Sequence, residues 1–189
     1  MIVCLDDRSN KRFMRVYFMR HGQTNYNKLG LCNDDPAKDV YLTENGILQA
    51  EQAAHQLHHR PIELIVTSEL PRTRQTADII NQYHQVPIIA HAAINDIRSG
   101  FDGMPVVDYF AAIASNPLHI AINGGESLLD HKQRVLTYFG WLAQQPQQAI
   151  LTIAHEETMR VFYAYYNNTP DERLRGLHFG NCEVLKYQL

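Results

Sequence analysis

The sequence has 189 residues, of which 45% are hydrophobic and 20% are charged, and its formal net charge is −3. A chain of this length and composition predicts one soluble domain with a sizeable core. The slight acidic excess excludes the generally basic surface that binds nucleic acid or anionic membranes, so an anionic ligand would have to be held by local arginines. No apolar run approaches the about 20 residues that a transmembrane helix needs.

The three cysteines lie far apart in the sequence, at Cys4, Cys32 and Cys182. An odd and scattered set argues against a disulfide framework and predicts a reducing compartment, which we expect to be the cytoplasm. The apolar run from Ile2 to Leu5 is too short for a signal peptide. We expect residues 1–13 to be an N-terminal extension, either mobile or packed as an extra strand, and residues 14–189 to form a single domain.

Apolar and aromatic residues run from Val16 to Met19 and lead directly into Arg20, His21 and Gly22. Such a run, ended by a glycine turn, predicts a buried strand that delivers its last residues to the edge of a sheet. The carboxyl ends of parallel strands are where α/β folds bind ligands. A neutral imidazole is a nucleophile, and a guanidinium matches the geometry of phosphate. We therefore interpret Arg20 and His21 as a phosphate-handling pair.

The remaining elements alternate along the chain. Further strands are predicted at 62–66, 86–90, 149–154 and 183–189. Helices are predicted from the N-cap Thr43 to Leu57, from Pro71 to Ile80, over 106–115, from the N-cap Ser127 to Leu142, and from Glu156 onward, whereas 25–35 is predicted to be a loop. In the helix 106–115, the residues expected to face the core are Val107, Phe110, Ala111 and Ala114. The alternation predicts a three-layer α/β/α sandwich with a mostly parallel central sheet.

A second histidine, His155, follows the fourth predicted strand in the same way that His21 follows the first. Arg72 comes in the first turn of a predicted helix, next to Pro71, which suits that position. A helix amino terminus favours anions through its free N–H groups and its dipole. Two imidazoles and two guanidiniums are therefore expected at one edge of the sheet.

Several stretches of the sequence resemble conserved blocks of the histidine phosphatase superfamily, which contains cofactor-dependent phosphoglycerate mutase. They are Arg20-His21-Gly22-Gln23-Thr24 with Asn27, the segment Ser68 to Ala77, Gly124-Gly125-Glu126-Ser127, and His155. The blocks occur in family order over nearly the whole chain. The resemblance implies a phosphoglycerate mutase-like fold for the domain and phosphoryl transfer through a phosphohistidine, with no metal ion and no cofactor.

The same resemblance implies roles for the matching residues. His21 would be the nucleophile that becomes phosphohistidine. Arg20 and Arg72 would bind the oxygens of the transferred phosphoryl group, and a protonated His155 would add a third cationic contact. Glu126 is expected to have a structural, hydrogen-bonding role.

The proton donor of this family lies in the loop after the third strand and is usually a glutamate. Asp96 occupies that place here, so it is the expected donor, although its side chain is one methylene shorter. Asp102, later in the same loop, is the alternative donor. Both could instead cap turns through local hydrogen bonds to the backbone.

Three further residues are candidates for the substrate pocket, namely Gln23, Asn27 and Glu156. The two amides are expected to donate hydrogen bonds to the phosphate or to the leaving group. Glu156 stands where relatives commonly carry a glycine after the second histidine. It either complements the dipole of the helix that it begins, or it lines the pocket and repels additional phosphates on the substrate.

The sequence therefore predicts a metal-independent phosphomonoesterase that acts on a small phosphorylated metabolite, with neither nucleic acid nor membrane as a partner. A mutase must hold a second phosphoryl group and shield the phosphohistidine from water, and relatives of that kind tend to be longer. Phosphoglycerate mutase-type phosphoryl transfer is the first alternative. A catalytically weak phosphate-binding module is the second.

Overall fold

The computed structural model describes residues 13–189, so the predicted N-terminal extension lies outside the described residues except for Phe13. The strands are β1 (Arg15–Arg20), β2 (Leu64–Thr67), β3 (Ile88–Ala90), β4 (Ala149–Ala154) and β5 (Val184–Gln188). The α-helices are α1 (Asn25–Leu29), α2 (Glu44–Leu57), α3 (Pro71–His84), α4 (Val106–Ile113), α5 (Leu128–Leu142) and α6 (Glu156–Asn167). Short 3₁₀ turns occur at Ala92–Ile94 and Asp171–Gly176.

The strands form one sheet in the order β3-β2-β4-β1-β5. Strands β1 to β4 pair in parallel, and β5 is antiparallel to β1. Helices α5 and α6 pack on one face of the sheet, and α2 and α3 pack on the other. The predicted three-layer sandwich with a mostly parallel sheet is therefore confirmed.

Strand β1 shows why its sequence is apolar throughout. Val16 and Phe18 belong to the core on the α5 and α6 face, whereas Tyr17 and Met19 belong to the core on the α2 and α3 face. All four side chains are at most 2% exposed. A strand that is covered on both faces has no polar side, so the alternation typical of half-buried strands is absent from β1.

The register of β1 and β4 aligns the two strand-end histidines. Arg20 pairs with Ala154, and the backbone N–H of His21 donates to the carbonyl oxygen of Ala154 at 3.0 Å. His21 and His155 therefore leave the sheet side by side at the carboxyl ends of adjacent parallel strands.

One predicted loop begins with a short helix instead. Helix α1 starts after Thr24, whose Oγ1 accepts from the backbone N–H of Asn27 at 3.1 Å. In return, Asn27 Oδ1 accepts from the backbone N–H of Thr24 at 3.1 Å. This reciprocal pair is a capping box in which asparagine replaces the usual Glu or Gln, and it stabilises a helix that hydrophobic periodicity does not reveal.

The orientation predicted for helix α4 is wrong. Val107 is 72% exposed and Phe110 is 40% exposed, whereas Tyr109 and Ile113 are buried. Ala111 and Ala114 are also exposed. Because α4 lies over the mouth of a cavity rather than over the sheet, its apolar residues are divided between a small local core and the cavity wall.

The turn after β1 is packed tightly against the start of α2. A Cβ on Gly22 would lie 2.5 Å from the carbonyl oxygen of Gly46, and a Cβ on Gly46 would lie 2.0 Å from the carbonyl oxygen of Gln23. The Gly22 N–H also donates to Thr76 Oγ1 of α3 at 3.2 Å. Glycine at both positions is therefore required for the close approach that holds the turn carrying His21.

Candidate active site

A cavity of about 320 Å³ opens at the carboxyl ends of β1 and β4, beneath α1 and α4. This is the edge of the sheet where the two histidines and the arginines were predicted to meet. Its inner lining residues include Arg20, His21, Asn33, Arg72, Asp96, Glu156 and Glu157. Its outer lining residues include Tyr26, Asn27, Leu31, Val40, Val106, Tyr109, Phe110, Arg160, Arg175 and His178.

His21 is 2% exposed and is held at both ring nitrogens. Its Nδ1 lies 2.7 Å from the carbonyl oxygen of Gly22, and its Nε2 lies 3.1 Å from Nε of Arg72. A carbonyl can only accept and a guanidinium can only donate, so Nδ1 carries the proton and Nε2 presents a lone pair. Burial and the nearby Arg72 and Arg20 lower the pKa of His21 well below its ordinary value of 6.5, which keeps the ring neutral.

Arg72 is 3% exposed and donates four hydrogen bonds from its guanidinium. Besides donating to His21, its Nη1 donates to Asn33 Oδ1 at 2.6 Å, and its Nη2 donates to the Asn33 carbonyl at 3.0 Å and to Asp96 Oδ2 at 2.9 Å. Asn33 was not predicted, because nothing in the sequence around it marks a contact to α3. These bonds hold the guanidinium plane beside the Nε2 lone pair of His21.

His155 is fully buried behind His21, and the centroids of the two rings are 5.3 Å apart. Its Nε2 lies 2.8 Å from Ser68 Oγ, and its Nδ1 lies 3.5 Å from Asp96 Oδ2. Burial and the nearby Arg72 lower the pKa of His155 well below 6.5. Burial and several cationic neighbours therefore oppose a protonated ring in the ligand-free cavity, and the protonated His155 expected from the sequence stays a prediction for the phosphate-bound site.

Arg20 reaches the same cavity from the end of β1. Its Nη1 donates to the carbonyl oxygen of Phe179 at 2.6 Å and lies 2.7 Å from Glu156 Oε2. Its buried Nε has no hydrogen-bond partner among the described residues. Arg20 therefore has both an anchored end and a free donor.

Asp96 is the carboxylate that contacts Arg72 and lies 3.5 Å from His155. Its Oδ2 accepts from Arg72 Nη2 at 2.9 Å, and its Oδ1 accepts from the backbone N–H of Ile97 at 2.9 Å. Its side chain is 22% exposed and lines the cavity. Burial raises the pKa of Asp96 above its ordinary value of 3.8, although Arg72 and His131 act in the opposite direction. A carboxyl group with this shift holds a proton more readily than a surface aspartate does.

Arg134 and Glu126 hold the segment that carries Asp96. Arg134 donates from Nη2 to the carbonyl oxygen of Asp96 at 3.0 Å and from Nη1 to that of Asn95 at 3.1 Å. Glu126, which is 4% exposed, accepts hydrogen bonds from both Nε and Nη2 of Arg134. It also accepts from the backbone N–H of Arg98 at 3.1 Å. The structural role predicted for Glu126 agrees with these contacts, whereas Arg134 was missed because its partners are distant in sequence.

Asp102, the alternative proton donor, is not among the residues that line the cavity. Its Oδ1 accepts from Asn33 Nδ2 at 3.0 Å and from the backbone N–H groups of Asp34 and Asp35 at 3.0 and 3.3 Å. These contacts fix the loop that presents Asn33 to Arg72. Asp102 therefore holds a loop that is distant in sequence, which differs from the local turn capping that was the alternative interpretation of its position.

The two predicted amides differ in position. Asn27 lines the cavity, but its Oδ1 caps helix α1, which leaves only its Nδ2 for a ligand. Gln23 is not among the residues that line the cavity. Its Oε1 accepts from Thr43 Oγ1 at 2.9 Å at the start of α2. The prediction that Gln23 lies in the pocket is wrong, because its side chain turns toward that helix instead.

Glu156 and Glu157 both line the cavity, and arginines neutralise both. Glu156 contacts Arg20 at 2.7 Å and Arg160 at 3.2 Å. Glu157 contacts Arg160 at 2.6 Å and Arg175 at 2.8 Å. We call this alternating series of five side chains, from Arg20 to Arg175, the ion ladder. The two carboxylates are therefore paired. Glu156 both begins helix α6 and lines the cavity, so its position agrees with each of the two interpretations that its sequence position allows.

Aromatic and aliphatic side chains line the part of the cavity next to helices α1 and α4. Arg175, the last residue of the ion ladder, lies with its guanidinium carbon 5.7 Å from the ring centroid of Tyr109 and 5.5 Å from that of Phe110. Its Nη2 also donates to the Tyr109 hydroxyl at 3.1 Å. The cavity thus has a cationic region around Arg20 and Arg72 and an aromatic region around Tyr109 and Phe110. The paired charges of the ion ladder lie along the same wall.

Residues 13–189 contain neither a metal-binding cluster nor a membrane-spanning helix. Within this range, no group of three or more His, Cys, Asp or Glu side chains is arranged to hold a metal ion. Over the same residues, every helix is too short or too polar to cross a membrane. Cys32 and Cys182 are both free thiols.

A family model described as histidine phosphatase superfamily, branch 1, matches residues 16–189. The chain belongs to the histidine phosphatase superfamily. This match covers every strand apart from Arg15 of β1, together with every residue of the site described above, so the resemblance drawn from the sequence blocks is confirmed.

Relatives of this superfamily member include both phosphatases and mutases. It is 26% identical over 170 residues to an adenosylcobalamin/alpha-ribazole phosphatase of Escherichia coli, covering 85% of this chain and 83% of that protein. It is 26% identical over 183 residues to a probable phosphoglycerate mutase of Escherichia fergusonii, covering 90% and 83%. The crystal structure of the alpha-ribazole phosphatase from Shigella flexneri matches with a TM-score of 0.83 at 24% identity, over 92% of this chain and 89% of that one, which shows a shared fold.

Proposed function

We propose that the protein is a metal-independent phosphomonoesterase that hydrolyses a small phosphorylated metabolite through a phosphohistidine on His21. The observation that carries the proposal is the position of the His21 Nε2 lone pair, 3.1 Å from Nε of Arg72, whose Nη2 is 2.9 Å from Asp96. A nucleophile, a phosphate-binding cation and a carboxyl group with a raised pKa therefore meet in one cavity. The naming of relatives as phosphatases supports the same activity.

In the first step, His21 Nε2 forms a bond to phosphorus while the bond from phosphorus to the leaving oxygen breaks. The Nε–H of Arg72 that now donates to His21 would donate to a phosphoryl oxygen instead, which releases the lone pair for attack. Arg20, with its unpartnered Nε, would bind a second oxygen. The main task of such a site is to stabilise the negative charge on these oxygens in the transition state, because phosphoryl transfer requires little covalent chemistry from the protein.

Asp96 gives its proton to the leaving oxygen as that bond breaks. In the second step, a water molecule attacks phosphorus, transfers a proton to the Asp96 carboxylate, and displaces His21 as phosphate is released. Each group thus returns to its starting protonation state. Buried His155 would donate a hydrogen bond to the phosphoryl group, and the dianion would raise the low pKa that His155 has in the ligand-free cavity.

Phosphoglycerate mutase-type transfer is the second candidate, since one relative carries that name. It would require a second cationic subsite for the other phosphoryl group of the substrate. The guanidiniums along the cavity wall are already paired with Glu156 and Glu157. We therefore favour hydrolysis, and interconversion of 2- and 3-phosphoglycerate faster than phosphate release would reverse this preference.

The proposal is tested by measuring phosphate release from a broad panel of phosphomonoesters, with a chelator present. We expect wild-type activity that the chelator does not reduce and that His21→Ala abolishes. His119→Ala is the matched control, because His119 is an exposed histidine that is not among the cavity-lining residues. Loss of activity with the chelator would reject the metal-independent mechanism, and full activity in His21→Ala would reject the phosphohistidine.

The free thiols favour action in the cytoplasm, which cell fractionation would test.

A further inference from the structure

Apart from Arg20, which the proposed mechanism assigns to the phosphoryl group, the guanidiniums of the ion ladder are engaged by its carboxylates. Arg160 contacts both Glu156 and Glu157, and Arg175 contacts Glu157, at distances between 2.6 and 3.2 Å. Arg160 also donates from Nε to the carbonyl oxygen of Leu177 at 2.8 Å. An anionic substituent placed against this wall would have to displace a carboxylate from an existing ion pair.

The carboxylates of the ladder remain accessible to a ligand within the cavity. The side chain of Glu156 is 26% exposed and that of Glu157 is 12% exposed, and both are lining residues. In a partly desolvated site, two like charges brought together are strongly unfavourable, whereas a neutral group meets no such penalty. The wall therefore discriminates by charge, because the side chain of Glu156 is more exposed than those of its partners Arg20 (16%) and Arg160 (5%).

Beyond the ladder, the cavity offers an apolar surface to the part of a substrate farthest from the phosphate. The side chains that form it are Tyr26, Leu31, Val40, Val106, Tyr109 and Phe110. Phe110 is 40% exposed although it is a large aromatic residue. A leaving group that packs against it would bury apolar surface that water now covers.

We propose that the leaving group of the natural substrate is uncharged and presents an apolar face, and that Glu156 and Glu157 are the residues that select against a second anionic group. This inference rests on the phosphatase activity proposed above. It assigns the substrate to neutral, apolar-faced alcohols esterified with phosphate, and it excludes bisphosphates and phosphorylated carboxylic acids. Glu156 thereby acquires a function beyond its place at the start of helix α6.

The test compares 4-carbamoylphenyl phosphate with 4-carboxyphenyl phosphate, two esters of nearly the same shape that differ by one negative charge. We expect wild type to prefer the carbamoyl ester by about tenfold or more in kcat/KM, which corresponds to about 1.4 kcal/mol. In the Glu156→Gln, Glu157→Gln double variant, we expect this preference to fall to about threefold or less. The smaller preference should result from a higher kcat/KM of the double variant for the carboxy ester.

Controls separate the charge selection from other effects. Glu172→Gln removes an exposed carboxylate that is not among the lining residues, and it should leave the preference unchanged. Phe110→Ala should raise KM for the carbamoyl ester several-fold while leaving the charge preference intact. If the double variant does not fold, the two single variants replace it, and each should reduce the preference in part.

If wild type does not prefer the carbamoyl ester, or if it prefers the carboxy ester, the inference is overturned whatever the variants show. An unchanged preference in folded glutamine variants would also overturn it, because the selection would then originate elsewhere. By contrast, absence of turnover with every phosphomonoester would reject the proposed phosphatase itself. The two failures are therefore distinguishable.

Discussion

Asn33 donates a hydrogen bond from Nδ2 to Asp102 Oδ1 at 3.0 Å, while its Oδ1 accepts from Arg72 Nη1 at 2.6 Å. Asp102 therefore acts on the Arg72 guanidinium through one intervening side chain. The arrangement distinguishes the two aspartates of the same loop, since only Asp96 contacts Arg72 directly.

Asp102→Asn should raise KM for simple phosphomonoesters several-fold and change kcat less than about threefold, because it weakens the positioning of Arg72 and leaves the proton donor in place. Steady-state kinetics with p-nitrophenyl phosphate and with an alkyl phosphate would measure this. An alkyl-specific loss of kcat in Asp102→Asn would show that Asp102, rather than Asp96, supplies the proton.

Asp96→Asn should lower kcat for an alkyl phosphate by about 10²- to 10⁴-fold, the usual contribution of general acid catalysis. The loss should be much smaller with p-nitrophenyl phosphate, because nitrophenolate departs without protonation. Equal losses on both substrates would indicate that Asp96 positions Arg72 and does not donate a proton.

The pH dependence of kcat/KM follows from the direction of two pKa shifts. His21 must be neutral to attack, and burial lowers its pKa well below 6.5, so activity should fall on the acid side only below pH 6.5. Asp96 must be protonated, and burial raises its pKa, so activity should fall again as the pH rises through that raised value. Asp96→Asn should remove this alkaline decline in a pH–rate profile, and retention of the decline would assign it to another group.

Glu126→Gln should lower the free energy of unfolding at pH 7 by about 3 kcal/mol, since it removes the partner of a largely buried ion pair. Burial raises the pKa of Glu126, but hydrogen bonds from His131 and Arg134 outweigh burial and hold the pKa well below 4.5. A carboxyl group with a depressed pKa contributes stability above its unfolded pKa and loses it as the pH falls. The difference between variant and wild type should therefore shrink below pH 4.5 in urea unfolding, whereas the exposed-site control Glu51→Gln should change stability by less than about 0.5 kcal/mol.

Gly46→Ala should destabilise the protein by about 1–3 kcal/mol, because the added methyl group would lie 2.0 Å from the carbonyl oxygen of Gln23. Gly140→Ala is the matched control in helix α5, where a Cβ would meet no atom within 4 Å. It should stabilise the helix by up to about 1 kcal/mol. Thermal melting of both variants measures the contrast, and equal effects would show that the turn adapts to the methyl group.

The strand-end residues could be predicted from sequence because their placement depends on local rules. A buried strand followed by a turn places Arg20, His21 and His155 at one sheet edge as soon as the strands are parallel. The start of α3 places Arg72 there by the same reasoning. These positions depend on backbone direction and not on the packing of individual side chains.

Other members of the site could not be predicted because they depend on contacts between distant segments. Asn33 meets Arg72 of helix α3, and Arg134 of helix α5 meets Asp96, only when the domain has folded, because the partners are 39 and 38 residues apart. Gln23 was predicted to lie in the pocket because it closely follows β1, but its side chain turns toward Thr43. Family blocks indicate which segments approach the site, but side-chain direction within a loop is determined by tertiary packing.

Strand β4 lies between β2 and β1 in the sheet, although it follows both by a long stretch of chain. Until it inserts, β1 and β2 have no shared neighbour, and the pocket lacks His155 together with the ion ladder. Topologies with such distant pairings fold slowly, because loop closure precedes the contacts that stabilise it. During synthesis, the strand that carries His21 therefore precedes β4 by a long stretch of chain, and the proposed site can form only after β4 and helix α6 have been made.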